Sequence, residues 1–454
     1  MIWIGARTSS WRSSALRVAV PVTAAVVPVG LSMLLVAPAP SYDPWSWLLW
    51  GRELAAGGLD TREGPAFKPL PVGVGAVLAP AGEAAPWLWV GVVRLAALVA
   101  LYLAFRLGRR LAGGSALAGV LAALGVALCG SFLDTAATGA ETPLLLALAL
   151  GALEAWRSDR AGLALGLAAG CGLVRVEAWP FIAAFGILVW RHEPGLRRAL
   201  LAIALLVPAL WILPELLGSG DPLRSGTRAR VPNEGQPALA AVPFLASLEA
   251  ALRLPLWCLW IGVAVLVIDR PAGRPALILI GVGSAWLALV ALMAELGFSG
   301  EPRYSLPGAA LLAIGGAVGL TGGAGRRPGR GMAAVAVALV AVAALPRLDE
   351  LESIRDRQAH QWRLARDLPR AIEASGGRDA LLACGRTYVG RLRGPLSAYA
   401  LDVTKRSVEP DLPPRPPGIV LRSALGSGDR PTPAVGPGFA PVARGGEWEV
   451  WRAC

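Results

Sequence analysis

Charged side chains are scarce in this chain. They make up 16% of its 454 residues, whereas a soluble domain carries about 25%. Hydrophobic residues reach 55%, and the mean hydropathy is +0.56. This shortage of charge indicates that much of the surface faces lipid rather than water.

Histidine and cysteine are also rare. Only two histidines occur among the 454 residues, which argues against a His-rich zinc site. Three of the five cysteines, Cys129, Cys171 and Cys258, lie inside apolar runs and are interpreted as small core residues. The other two, Cys384 and Cys454, lie in a polar C-terminal segment, where a disulfide and two free thiols are both compatible with the sequence.

The charge that is present is mostly positive. The formal net charge is +12, and arginine supplies nearly all of the cations. Because the arginines are scattered between apolar runs and form no continuous basic patch, nucleic-acid binding is not expected. Positive-inside topology explains the scatter better. The high usage of Ala, Gly and Arg is typical of a high-GC bacterium such as an actinobacterium.

Long apolar runs are abundant. A helix needs about 20 apolar residues to cross the hydrocarbon core, and some runs here are short enough to be tilted or kinked. The first run is interpreted as an uncleaved span, because it is too long for a signal peptide and no clear cleavage site follows. The predicted spans are residues 15–36, 86–105, 112–131, 143–156, 161–175, 179–190, 198–217, 251–268, 275–296, 306–323 and 331–346. The predicted fold is therefore mainly α, a polytopic membrane helix bundle of about eleven transmembrane helices.

Short basic connections alternate with the other connections, and all of them fall on the same side as the N-terminus. This pattern predicts a multi-pass plasma-membrane protein with a cytoplasmic N-terminus. The arginines concerned are Arg7, Arg12 and Arg17 at the N-terminal flank of the first span, then Arg106, Arg109 and Arg110, Arg157 and Arg160, Arg191, Arg197 and Arg198, Arg270 and Arg274, and Arg326, Arg327 and Arg330.

The chain divides into a predicted membrane module, residues 1–346, and a predicted extracytoplasmic C-terminal domain, residues 347–454. A helical pattern at 349–374 is followed by strand-like runs such as 381–389 and 418–424. These runs favour a small ordered α/β domain over a partly disordered tail.

The longer polar loops of the membrane module lie on the outer side, at residues 37–85, 218–250 and 297–305. The first begins SYDPWSWLLWGREL, which predicts an interfacial helix whose tryptophans, Trp47 among them, lie at the headgroup level. A carboxylate held there, Asp43, can act as a general base toward a sugar hydroxyl. The alternative is that Asp43 only caps the helix that starts at Pro44.

Three further motifs place ionisable residues at the outer ends of apolar runs. Lys68, in GPAFKPLPVG, precedes a segment too short to span, and either holds a lipid phosphate or snorkels at the interface. Glu141 opens the fourth span, where it contacts a substrate or complements the helix dipole. Arg175 and Glu177, in VRVEAWPF, form either a functional site or an ion pair that braces a helix break.

Two outer loops carry more arginine than the positive-inside rule predicts. The cluster DPLRSGTRARVPN contains Arg224 and Arg228, which suit phosphate binding, unless the loop is simply solvated. Arg303 and Tyr304, in EPRY, directly precede a span. A cation on the wrong side of the membrane needs a reason, and an anionic lipid-linked substrate supplies one.

Together these motifs resemble the GT-C superfamily of membrane glycosyltransferases. The likeness rests on YDPWSWLLWGREL with KPLPV, on TGAETPLL with RVEAWPF, and on PRYSLP before a late span. The second pair is similar to the G-x-E-T-P and R-x-E elements of bacterial arabinofuranosyl- and mannosyltransferase-like members. The resemblance covers roughly residues 15–320.

The resemblance implies an inverting transfer of sugar from a polyprenyl-phosphate donor to an envelope glycan, lipid or protein on the outer face of the membrane. Asp43 matches the catalytic acid of the first loop. The cations implied to bind the donor phosphate are Lys68, Arg175, Arg224, Arg228 and Arg303. The residues implied to bind substrate are Trp47, Glu141, Glu177 and Tyr304.

The first loop departs from the family in one respect. Many members carry two acids there, whereas position 42 is Tyr and position 45 is Trp in this chain. Since divalent ions want several oxygen ligands, a metal cofactor is not favoured and no metal ligand is predicted. The alternatives are a lipid-linked sugar flippase or transporter, which would place ionisable residues near mid-span, and a structural envelope protein.

Overall fold

A computed structural model of the chain describes residues 26–268, 274–322, 329–410 and 413–454. Several residues used in the topology prediction lie outside these ranges. They are the first part of the span predicted at 15–36, the flanking Arg7, Arg12 and Arg17, and the connecting residues Arg270, Arg326 and Arg327.

Helices dominate the predicted membrane module. The first of them along the described chain are α1 (Val26–Leu35), α2 (Tyr42–Ala55), α3 (Pro69–Leu78), α4 (Ala85–Leu111), α5 (Ala116–Ala127), α6 (Phe132–Thr138), α7 (Thr142–Arg157) and α8 (Ala161–Val174). The others are α9 (Trp179–His192), α10 (Arg197–Ser219), α11 (Arg224–Ala229), α12 (Pro243–Leu252), α13 (Trp257–Ile268), α14 (Arg274–Glu295), α15 (Pro302–Leu320) and α16 (Arg330–Ala344).

The mainly helical fold is confirmed, whereas the number of spans is not. By length and composition, three described segments can cross a membrane: Pro69–Leu111, Pro194–Ser219 and Arg274–Glu295. The number rises to six if each bent helix pair counts as one span. Two of these bends fall inside predicted spans. The chain bends by 63° between α5 and α6, at the end of the span predicted at 112–131, and by 94° between α12 and α13, inside the span predicted at 251–268.

Helix α15 lies at the centre of the bundle, and every residue from Ser305 to Leu320 is buried. Glycine makes this possible. A Cβ at Gly262 of α13 would lie 1.9 Å from the carbonyl oxygen of Gly316, and one at Gly283 of α14 would lie 2.7 Å from that of Gly308. Such close backbone contact is a main source of helix association in lipid. It fixes the end of α15 that carries Arg303 and Tyr304.

Helix α2 lies between the membrane helices and the C-terminal domain. Its three tryptophans, Trp45, Trp47 and Trp50, are only 8%, 1% and 0% exposed. They share one hydrophobic core with Trp89 of α4 and with Leu364 of the C-terminal domain. The predicted helix is therefore confirmed, but the expected position of its tryptophans at lipid headgroups is wrong, because protein surrounds them.

The C-terminal segment folds into a small α/β domain, as predicted. Its elements are α17 (Pro346–Ala374), α18 (Arg378–Leu382), β1 (Arg386–Val389), α19 (Gly394–Leu401), β2 (Val408–Pro410), β3 (Gly418–Ser423), β4 (Ala440–Gly445) and β5 (Trp448–Ala453). The strand order is β2-β1-β3-β5-β4. Strand β1 is parallel to β2 and β3, and β5 is antiparallel to β3 and β4.

Two finer sequence predictions about this domain are settled by the structure. Cys384 and Cys454 form a disulfide, so the alternative of two free thiols is wrong. The strand-like run at 381–389 is only partly a strand, because its first residues complete α18. The domain boundary between residues 346 and 347 stays a prediction; α17 begins at Pro346, after a 43° bend from α16.

We expect Gly262→Ala to destabilise the bundle. Its new methyl group would meet the backbone of α15, which cannot move aside as a side chain can. The expected loss is about 1–3 kcal/mol, measured as a lower Tm of the purified protein in detergent. Gly281→Ala is the matched control, because a Cβ there meets nothing within 4 Å. An unchanged Tm for Gly262→Ala would mean that α13 and α15 are not in close contact.

Candidate functional site

A cavity of about 760 Å³ opens where the predicted outer loops meet the C-terminal domain. Most of the sequence-predicted site residues line it: Asp43, Lys68, Arg175, Glu177, Arg228, Arg303 and Tyr304. Trp47, Glu141 and Arg224 do not line the cavity but lie behind its wall. The expectation that Asp43 shares one cavity with these cations therefore agrees with the geometry.

A buried network of ion pairs forms the floor of the cavity. Lys68, just before α3, donates a hydrogen bond to the carboxylate of Glu141, which is 0% exposed at the start of α7. Nη1 of Arg175 donates to the same Oε1 of Glu141 at 2.7 Å. Nη2 of Arg175 donates to Oε1 of Glu177 at 2.6 Å. Two cations and two carboxylates thus balance in charge and join three separate chain segments.

Arg175 lies at a helix break, as the sequence predicted. It follows α8 in an extended conformation, and the turn Val176–Ala178 leads into α9. Its guanidinium carbon lies 3.7 Å from the ring centroid of Tyr304. Nζ of Lys68 lies 4.9 Å from the ring centroid of Trp47. Aromatic faces hold cations by their quadrupoles, so Trp47 and Tyr304 help to orient these two side chains.

Asp43 lies in the first turn of α2, and the residue at the cap position is Ser41. The interpretation of Asp43 as the helix cap is therefore wrong, since it makes no capping hydrogen bond. Its Oδ2 instead accepts a hydrogen bond from Nη2 of Arg303 at 3.2 Å. Arg303 also donates to Glu301, so this one guanidinium is shared between two carboxylates.

Tyr42 lines the cavity next to Asp43 and was missed as a functional residue. Burial raises its pKa to about 12, and the negative charge of Asp43 adds to the shift. The phenol therefore stays protonated and can donate a hydrogen bond at neutral pH. The available sequence signal was its place directly before Asp43 in YDPW.

Arg224 belongs to a second buried network. Its Nε donates to Oε2 of Glu215 at 3.1 Å, and its Nη2 donates to the backbone oxygen of Pro65 at 2.8 Å. Thr61 Oγ1 donates to the same Glu215 oxygen at 2.7 Å. These bonds tie the second outer loop to the first. Glu215 was missed, although an acid inside an otherwise apolar span is a recognisable signal.

Arg228 and three residues of the C-terminal domain complete the wall. Arg228 Nη1 donates to the backbone oxygen of Val231 at 3.0 Å. Arg391, Leu392 and Pro410 reach the cavity from the C-terminal domain. The sequence singled out none of these three. Within the described residues, no group of three or more His, Cys, Asp or Glu side chains is placed to hold a metal ion.

The overall fold is similar to that of solved protein structures. No protein-family model matches the chain, and no curated protein matches it. Two crystal structures of ArnT from Cupriavidus metallidurans are similar to it. The one bound to undecaprenyl phosphate has a TM-score of 0.54 and 15% identity, over 96% of this chain and 98% of that chain. The apo structure has a TM-score of 0.51 and 16% identity, over 98% of each.

We expect Glu141→Gln to be strongly destabilising. The amide keeps the shape of the side chain but leaves two buried cations facing one remaining carboxylate, Glu177. Breaking a buried ion pair from one side costs about 3–5 kcal/mol. The measurement is the Tm of the purified protein in detergent.

Glu249→Gln is the control for this substitution, because its ion pair with Arg253 is exposed, at 65% and 77% for the two side chains. Exposed pairs contribute little to stability. Equal effects of the two substitutions would show that the network at Glu141 does not hold the cavity floor together.

Proposed function

We propose that the protein is an inverting glycosyltransferase that moves a sugar from a polyprenyl-phosphate donor to an acceptor hydroxyl on the outer face of the membrane. The observation that carries the proposal is that the carboxylate of Asp43 opens into the same cavity as Lys68, Arg175 and Arg303. A base beside fixed cations is what displacement of a phosphate from an anomeric carbon requires.

The fold supports the same proposal. ArnT is a GT-C glycosyltransferase, and one of the two ArnT structures that are similar to this chain holds undecaprenyl phosphate. A polyprenyl phosphate is therefore the lipid carrier that we expect here. The likeness of TGAETPLL and RVEAWPF to arabinofuranosyl- and mannosyltransferase-like members makes arabinofuranose and mannose the first sugars to test.

The reaction follows from these groups. Asp43 takes the proton of the acceptor hydroxyl, and the hydroxyl oxygen attacks the anomeric carbon of the donor. The bond from that carbon to the phosphate oxygen breaks, and polyprenyl phosphate leaves with the electron pair. Lys68, Arg175, Arg228 and Arg303 stabilise the negative charge of the departing phosphate. Attack opposite the leaving group inverts the anomeric configuration.

Arg303 links the base to the leaving group. In the free protein its guanidinium is shared by Asp43 and Glu301. A donor phosphate in the cavity offers competing oxygen atoms. When a guanidinium bond moves from Asp43 to the phosphate, Oδ2 of Asp43 loses its hydrogen bond from Arg303 and can accept one from the acceptor hydroxyl. Donor binding would thus prepare Asp43 to accept a proton.

The disulfide between Cys384 and Cys454 supports an extracytoplasmic position for the C-terminal domain, because disulfides persist in oxidising compartments. The basic connections support a cytoplasmic N-terminus, by the positive-inside rule. Trp47, Glu141 and Arg224 lie behind the cavity wall, so we propose that they act by positioning the residues that contact substrate.

We expect Asp43→Asn to lower sugar transfer by about 10²–10⁴-fold, because the amide cannot accept the proton. Transfer is measured in membranes with a panel of radiolabelled polyprenyl-phosphate sugars. Asp379→Asn is the control, since the Asp379 side chain is 93% exposed and lies outside the cavity.

Two results would contradict this account. Undiminished transfer by Asp43→Asn would remove Asp43 from the base role. Lipid scrambling in liposomes, with no transfer from any donor, would favour the flippase instead.

A further inference from the structure

The C-terminal domain contacts the cavity with the carboxyl ends of two strands of its sheet. Arg391 and Leu392 follow β1, and Pro410 is the last residue of β2. Because β1 and β2 are parallel, their carboxyl ends lie next to each other on the same side of the domain. Strand β2, the next in the chain after β1, lies on one side of β1, and strand β3 lies on the other side, so the direction of the connections reverses at β1. In open α/β sheets, ligands bind at such a reversal, outside the carboxyl ends of the strands.

The turn after β1 is held firmly. Arg393 is 4% exposed, and its Nη2 donates to the backbone oxygens of Ala424 at 2.8 Å and Leu425 at 3.0 Å. The turn is closed by a hydrogen bond of 3.1 Å from the backbone nitrogen of Arg393 to the oxygen of Gly390. Of the two residues between them, Leu392 has φ 63°, a conformation that non-glycine residues adopt only where their surroundings impose it. Arg391 is thus presented to the cavity by a fixed backbone.

Arg391 differs in its partners from the other cations of the cavity. Lys68, Arg175 and Arg303 each bind a carboxylate. Arg391 has neither an ion pair nor a hydrogen bond among the residues that the structure describes, although it lines the same cavity. Arg228 binds a backbone oxygen and no described carboxylate. Two cations, one from the second outer loop and one from the C-terminal domain, therefore remain uncompensated.

We propose that Arg391 binds a phosphate group of the substrate, together with Arg228, so that the C-terminal domain forms part of the candidate active site. A guanidinium can donate two parallel N–H hydrogen bonds to two oxygens of a phosphate. A backbone carbonyl or a water molecule is a weaker partner, because it offers a single oxygen and no negative charge. The proposal rests on the proposed function, which supplies two sources for this group: the phosphate of the lipid donor or a phosphate carried by the acceptor.

The test uses the full-length protein purified in detergent, with Arg391→Ala, Arg391→Lys and the control Arg444→Ala. Arg444 is an exposed arginine on β4, at the opposite edge of the sheet from β2. Binding of undecaprenyl phosphate, undecaprenol and inorganic phosphate is titrated separately. We expect Arg391→Ala to weaken binding of undecaprenyl phosphate about tenfold or more, as for loss of a charge-assisted hydrogen bond. Arg391→Lys should retain part of the affinity, and Arg444→Ala all of it.

Undecaprenol lacks the phosphate, so its binding should be the same in all variants. Loss of inorganic phosphate binding in Arg391→Ala, with undecaprenyl phosphate unaffected, would support the site and assign it to a phosphate of the acceptor. Wild-type binding of both phosphate probes by Arg391→Ala would overturn the proposal, as would a wild-type protein that binds neither. In a last case, the wild-type protein binds inorganic phosphate, Arg391→Ala loses that binding, and the wild-type protein does not bind undecaprenyl phosphate. This result would contradict the proposed donor but would still support the anion site at Arg391.

Discussion

The carboxylate of Glu141 is the interaction on which the rest of the site depends. It is fully buried at the start of α7 and accepts hydrogen bonds from both Lys68 and Arg175. An unpaired charge at such a place would be very unfavourable, so neither cation can leave without replacement. The start of α3 and the end of α8 must therefore meet at one point, and the cavity floor forms where they meet.

This network determines how the cavity can respond to a ligand. Cations that are already neutralised and held in place provide a preorganised field, which stabilises new negative charge without further reorganisation. They do not by themselves provide excess positive charge. Arg303, shared between two carboxylates, and Arg228, bound only to a backbone oxygen, are able to change partners. The cavity thus combines a fixed floor with more responsive cations around it.

Much of the helical fold could be predicted from the sequence, because a long apolar run in lipid has to form a helix whatever surrounds it. Helix α14, at residues 274–295, lies within one residue of its predicted range of 275–296. The bend between α12 and α13 could not be predicted, since it depends on packing against other helices. The surroundings of Trp47 were misjudged for a similar reason. An aromatic helix has the same pattern whether lipid or a domain some 300 residues further along the chain covers it.

The candidate site was predictable to a different degree in each part of the chain. An ionisable residue beside an apolar run is energetically costly, so Asp43, Lys68 and Arg175 were conspicuous in the sequence. The same cost requires that such residues have partners, and the structure provides them. Arg391 lies in a polar domain where one more arginine attracts no notice, and burial does not force it to pair. The cations that sequence reasoning finds most easily are thus the paired ones, whereas an uncompensated cation, which an incoming anion needs, is recognised only from its position in the fold.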